Sequence, residues 1–471
     1  MLGAGHQPPG FHVDESAIAY NALSIAEHGR DEHGAAWPVF FESYGDYKSA
    51  PYIYLLAAVL KLTGPSIVAA RALSALVGFA AVALLALVAA RESGRAVVAS
   101  AIGVSAALTP WLFEPSRLVF EVVLVPAVVA GLLLVLLDAD RRPRWGAWHS
   151  VGAGLLLGLL TYSYQSGRLL GPALALGLVL FARRGHWRGV AVAWFVYAVT
   201  LAPLALFAIR HPGALEARFK TSSYLDDGLP LPTVLGRFAG HYLNSFSPSR
   251  LLLHGDPNPR HHLQFLGSML AATVVLAIVG LVVVLRERRG RPWWRFVLWG
   301  LVVAPLPGAL TVDRFHTLRL VAMPVFMLVL AAAGAAWLWR SGARQQGRRA
   351  ALAALLALTV FQGVAFQVRF HRDNDQRAPF FDAEYPAVLD AAERASPSGR
   401  FYSLAGTEAH CLWYSALERR DRSLCARVPP SGLPAGSVAA SQYVLDCRGC
   451  RQLRVIGGFA IYRVEQRLRL P

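Results

Sequence analysis

From Ile67 onward the chain alternates long apolar runs with short polar connections. Ten runs approach the ~20 apolar residues that a helix needs to cross a hydrocarbon layer. They are Ile67–Ala90, Val97–Leu112, Val119–Leu137, Ala147–Tyr164, Leu169–Ala182, Val190–Ile209, Phe265–Leu285, Trp293–Leu310, Leu320–Trp339 and Ala350–Val368. Backbone groups in lipid must pair within their own segment, so these runs predict helices and not strands. Leu169–Ala182 is short and needs flanking residues to complete a span. Ahead of them Tyr52–Leu62 is short and amphipathic, which predicts a helix lying in the interface. After Val368 the pattern turns mixed. Ala383–Ala395 predicts a helix, and Arg400–Leu404, Gln442–Cys447, Leu453–Ile456 and Phe459–Val464 predict short strands. The expected organisation is an external segment over 1–66, a transmembrane core over 67–368 with a long loop at 210–263, and a small α/β domain over 369–471.

Composition agrees with a polytopic membrane protein. Of 471 residues 55% are hydrophobic and 16% charged, against about a quarter charged in soluble domains. The net charge of +17 does not point to nucleic acid, because the arginines sit in clusters between apolar runs and lysine occurs only as Lys48, Lys61 and Lys220. One set of connections carries Arg91/Arg95, Arg141/Arg142/Arg144, Arg183/Arg184/Arg188, Arg286–Arg295 and Arg340/Arg344/Arg348/Arg349. The short loops of the other set carry Arg117, Arg168, Arg314 and Arg319. The positive-inside rule makes the first set cytoplasmic. The N-terminal segment, the long loop and the C-terminal domain then face outward, in a multi-pass protein of the plasma membrane. No cleavable signal peptide is expected, since Met1–Gly10 lacks a basic and an apolar region.

The four cysteines, Cys411, Cys425, Cys447 and Cys450, fall in the last segment. An extracytoplasmic location permits one or two disulfides. A zinc site is the weaker reading, because Cys447–Cys450 has no clean second pair. Chemistry-bearing residues cluster at the other end: Asp14-Glu15, Asp31-Glu32, and Asp46-Tyr47-Lys48 among Phe40, Phe41, Tyr44, Tyr52 and Tyr54. Carboxylates and a lysine held at a membrane surface suit a reaction between a lipid phosphate and a polar acceptor, although solvated carboxylates in a wet loop give the same spacing.

Asp14-Glu15 with Gly45-Asp46-Tyr47-Lys48 and Pro51-Tyr52 resembles the first external loop of GT-C glycosyltransferases. More narrowly it is similar to the branch of the protein O-mannosyltransferases and the lipid A aminoarabinose transferase. That branch has an Asp-Glu pair, a Tyr-x-Lys-Pro-Pro-like motif and an Arg heading the next helix, the place taken here by Arg71. Lys48-Ser-Ala-Pro51 departs from the lysine motif by one proline. Three further stretches resemble family elements: Phe113–Glu121, Ser245–His261 with Asp256-Pro-Asn-Pro-Arg260, and Leu310–Arg319 with His316-Thr-Leu-Arg319. In the family a spanning helix precedes the Asp-Glu pair, whereas Asp14 stands near the start of this numbering, so that first helix is expected to be absent here.

The resemblance implies inverting transfer of a sugar from a polyprenyl-phosphate carrier to an acceptor hydroxyl on protein, lipid or glycan. It implies Asp14 as base, Glu15 positioning it, and Lys48 with Arg71, Arg260, His316 and Arg319 binding the carrier phosphate. Asp46, Tyr47 and Asp256 support them. No cofactor is implied, and no metal ligands are assigned, although a divalent metal is compatible with the chemistry. A transporter or flippase for prenyl-linked sugars is the rival. It would carry ionisable groups at the midplane of its spans, where these runs have almost none. A partner in an envelope-assembly complex would leave the Asp-Glu and Lys48 motifs without a role.

Overall fold

The predicted apolar runs form a helical bundle in the computed structural model, which describes residues 3–468 other than 4, 226, 341–344, 405, 406, 430, 443–446 and 448. Four helices among the described residues are long and apolar enough to cross a membrane: Ile67–Ser93, Glu121–Asp140, Trp187–Arg210 and Gln345–Arg372. A fifth span is the pair Ala96–Leu108 and Pro110–Arg117, bent by 67°. The other runs make shorter or broken helices, and the breaks have local causes. Pro172 interrupts Gly167–Gly177, Pro292–Val303 gives way at Pro305, and Ala271–Val283 passes into a π-turn over Val284–Arg288. Proline removes a backbone donor and clashes with the preceding turn, so each such site ends or kinks a helix.

Met323–Leu338 is the central helix, buried along nearly its whole length. Ala271–Val283 crosses it at Gly280 and Gly334. A Cβ on Gly280 would come 1.8 Å from Leu330 O, so only glycine permits this backbone approach. Outer helices turn large apolar side chains outward, among them Ile209 at 75% and Phe361 at 71% exposure, as a lipid-facing surface requires. The arginine-rich connections meet at one end of the bundle. Glu92 takes Arg288 at 2.7 Å and Arg291 at 3.2 Å, Arg95 donates to Trp339 O, and Arg141 donates to Arg91 O. Arg344 of the predicted cluster lies outside the described residues.

At the opposite end, helix α1 (Val13–His28) leads to a hairpin of β1 (Phe40–Ser43) and β2 (Asp46–Ser49), followed by α2 (Ala50–Thr63) and α3 (Ile67–Ser93). Tyr44 and Gly45 both have positive φ, at 57° and 71°. That is the pattern of a two-residue hairpin turn whose twist matches its strands. The C-terminal domain adds the helices Tyr385–Ala395 and Glu408–Leu417 and a five-stranded sheet. Its strands are β3 (Phe401–Leu404), β4 (Cys425–Ala426), β5 (Val438–Ser441), β6 (Cys450–Ile456) and β7 (Phe459–Val464), in the order β4-β3-β5-β7-β6. The predicted strand Gln442–Cys447 falls mostly outside the described residues, and the neighbouring strand ends at Ser441. Cys411 is joined to Cys425 and Cys447 to Cys450, with no free cysteine among the described residues. The pairing leaves no thiolate for the zinc reading. The domain rests on α1: Phe11 stacks on Trp413 at 5.6 Å, and Ser16 Oγ meets His410 Nδ1 at 2.6 Å.

Candidate active site

The first turn of α1 is fixed before any ligand arrives. His12 is the N-cap and Glu15 completes a capping box, its Oε2 accepting from the His12 amide at 3.1 Å. Glu15 is fully buried and forms a two-bond pair with Arg71, at 3.2 and 3.1 Å. It also accepts from Val119 N. Arg71 donates its remaining bonds to Pro8 O and Gly10 O. Both residues are therefore spent on joining α1 to α3 and to the stretch after Arg117, and neither faces a cleft.

Asp14 points the other way. Register in the hairpin sets Lys48 opposite Phe41, and Tyr44 Oη donates to Val13 O at 2.9 Å. The hairpin is thereby laid against α1 with Lys48 Nζ 2.9 Å from Asp14 Oδ1. Asp14 is 36% exposed and Lys48 13%. Burial alone would raise the Asp14 carboxyl, but Lys48, His12 and Arg260 together hold it well below the usual carboxylate range. Lys48 is held above its ordinary value: burial works against its charge, and Asp14 and Glu121 outweigh it. Glu121 also accepts from Ser49 N.

Arg260 reaches this pair through His12, with Nη1 2.9 Å from His12 Nε2. Its loop is tied down on several sides. Glu114 holds His262 at 2.9 Å and Leu263 N at 2.6 Å. Arg377 donates to Pro259 O and Arg260 O, and Asp256 Oδ2 accepts from both the amide and the hydroxyl of Thr317. His316 sits beside His261, ring centroids 4.6 Å apart, and so belongs with this loop. Asp46 accepts from Gln165 at 2.7 Å, and Tyr47 packs edge-on against Phe207.

A cavity of about 280 Å³ opens next to the hairpin, lined by Tyr164, Arg168, Leu169, Leu215, Arg218, Phe219, Pro307, Leu310 and Arg319. Its Ala217–Ser222 wall packs against β2. Arg319 is engaged by Asp313 at 2.6 Å. Arg168 donates one bond to Leu215 O, while its Nε and Nη2 are buried without a partner. Buried donors of this kind are costly unless a ligand meets them.

The structure thus brings Asp14, Lys48 and, through His12, Arg260 together. It sets Arg319 on the cavity wall, and it separates Glu15 with Arg71, and Asp256 with His316, into two other clusters. His12, Glu121, Tyr164 and Arg168 are additions that sequence reasoning did not assign. His12 carried a signal as the first residue of a His-x-x-Glu capping box. Arg168 carried another as a lone arginine in a loop otherwise poor in charge.

Residues 49–209 match the model of a family described as dolichyl-phosphate-mannose-protein mannosyltransferase. No curated protein matches the sequence. Two crystal structures of ArnT from Cupriavidus metallidurans are similar over 97% of this chain. The apo state matches at 14% identity with TM-score 0.63 over 94% of that chain. The state bound to undecaprenyl phosphate matches at 12% identity with TM-score 0.62 over 95% of that chain. By that domain and that fold together, the chain resembles the GT-C branch of the protein O-mannosyltransferases and ArnT.

Proposed function

We propose that this chain is a membrane glycosyltransferase that moves a sugar from a polyprenyl-phosphate carrier to an acceptor hydroxyl, with inversion, on the extracytoplasmic face. The observation that carries the reading is the Asp14–Lys48 pair set beside a cavity that joins apolar walls to three arginines. An apolar wall suits a prenyl chain, and arginines suit a phosphate bidentately. The related ArnT structure bound to undecaprenyl phosphate supports the donor class. The position of the site at the end of the bundle away from the arginine-rich connections supports the outer face, as do the two disulfides.

In this scheme the acceptor oxygen attacks the anomeric carbon, its proton passes to Asp14, and the carrier phosphate leaves toward Lys48, Arg168 and Arg319. Those cations stabilise the charge that grows on the departing phosphate. Ion-paired with Lys48, Asp14 is ionised but weakly basic. A phosphate drawn to Lys48 brings a like charge near the carboxylate and raises its proton affinity, so donor binding prepares the base. Glu15 and Arg71 hold the α1 turn that aims Asp14. The test is transfer from a synthetic prenyl-phosphate sugar by the full chain in nanodiscs, beside direct binding of the prenyl phosphate. Absence of both transfer and binding in folded protein would sink the reading.

A further inference from the structure

Among the described residues, one group of three metal-ligating side chains converges. Asp256, His261 and His316 place one ligand atom each within 4.8 Å of the others. They come from two segments, the loop before Leu263 and the stretch after Thr311, which the Asp256–Thr317 bonds already clamp together. The His261 side chain is 7% exposed and its Nδ1 has no hydrogen-bond partner, standing 3.5 Å from Asp256 Oδ2. His316 Nδ1 is also buried without a partner. A buried imidazole nitrogen without a partner, beside a second imidazole and a carboxylate, is a costly arrangement in a closed protein, and a cation at the centre of the three removes the cost.

We propose that Asp256, His261 and His316 bind a divalent transition metal of the zinc class, a site additional to the transferase reading. Two imidazoles with one carboxylate suit zinc and its neighbours, whereas magnesium and calcium take oxygen ligands. Ligands about 2.0–2.1 Å from a tetrahedral zinc ion lie roughly 3.4 Å apart, so binding asks the three ligand atoms, now within 4.8 Å of one another, to close in. The carboxylate is already oriented by two bonds from Thr317 and one from the Asn258 amide, as ligating carboxylates generally are. Three protein ligands leave a fourth position for water or an anion. The ion would also staple the loop that presents Arg260 to His12, and so set the distance of that guanidinium from Asp14.

The experiment uses the untagged full chain in detergent, stripped with a chelator and titrated with Zn²⁺ or Co²⁺ alone. One equivalent per chain is expected, with the visible absorption of four-coordinate cobalt. His261→Gln and His316→Gln should each lower the affinity at least tenfold. In the wild type, bound Zn²⁺ should shield His316 from an imidazole-modifying reagent, a readout that needs no variant. A wild type that takes up no metal overturns the site. So does uptake that leaves His316 equally reactive, or that survives both substitutions in folded protein.

Discussion

Lys48 Nζ donates to Asp14 Oδ1 at 2.9 Å, a contact made across 34 residues of sequence by a two-stranded hairpin folded onto the first turn of a helix. The pair separates base from phosphate clamp. Asp14→Asn keeps the side-chain shape and removes the base, so transfer should fall about 10²–10⁴-fold with little change in donor binding. Lys48→Ala should weaken donor binding as well as turnover. Wild-type-like transfer by Asp14→Asn would refute the assignment.

Arg168 is expected to meet the carrier phosphate with its two unpartnered nitrogens. Arg168→Ala should therefore weaken binding of prenyl phosphate about 10-fold to 100-fold, the worth of a charge-assisted hydrogen bond. Binding by the variant in nanodiscs with an unchanged Kd would count against a phosphate in this cavity.

The Glu15–Arg71 pair should be structural. Both side chains are buried, so Arg71→Met alone strands a carboxylate and should cost about 3–5 kcal/mol of stability. The double variant Glu15→Gln with Arg71→Met should recover part of that loss. Denaturant or thermal unfolding in detergent reads both. A single variant as stable as the wild type would mean that Glu15 finds another partner.

Asp382 supplies a pH dependence. Burial pushes its carboxyl up from 3.8 to about 6, against the Val13 amide and Arg260, which favour the charged form. The folded state keeps this proton longer than the unfolded one. Its contribution is full below the unfolded value and is lost as pH rises through the folded one. Asp382→Asn tolerates the positive φ of 52° at this position and should be less stable relative to wild type at low pH than at neutral pH. A difference in Tm that does not change between about pH 5 and pH 7.5 would exclude the linkage.

Orientation can be read by labelling. Single cysteines introduced at Arg142 and Glu216, in a chain whose own cysteines stay paired, should react with an impermeant reagent from outside only at Glu216. Labelling at Arg142 in intact cells would invert the map.

The helical bundle was legible because its cause is local: a run of apolar residues long enough for lipid has to be a helix wherever it packs. Arginine asymmetry between connections is equally local and set out the two ends. The segments of the C-terminal domain were legible on the same ground, with β3 starting at Phe401 and β7 spanning Phe459–Val464. What the one-dimensional pattern does not contain is the choice of partners. Asp14 and Glu15 are neighbours in sequence, yet successive helical residues project about 100° apart. One therefore meets Lys48 at a partly exposed site, and the other meets Arg71 in the core. Arg71 and Arg168 look alike in sequence as lone arginines near helix starts. Tertiary packing surrounds the first with carbonyls and a carboxylate and leaves the second with free donors in a cavity. His261 and His316 lie in separate segments and come side by side where Asp256 binds Thr317. Sequence fixes which groups can ionise or ligate. Burial and long-range contact decide which of them are already satisfied, because a charge taken out of water must find its counterpart wherever the fold has placed one.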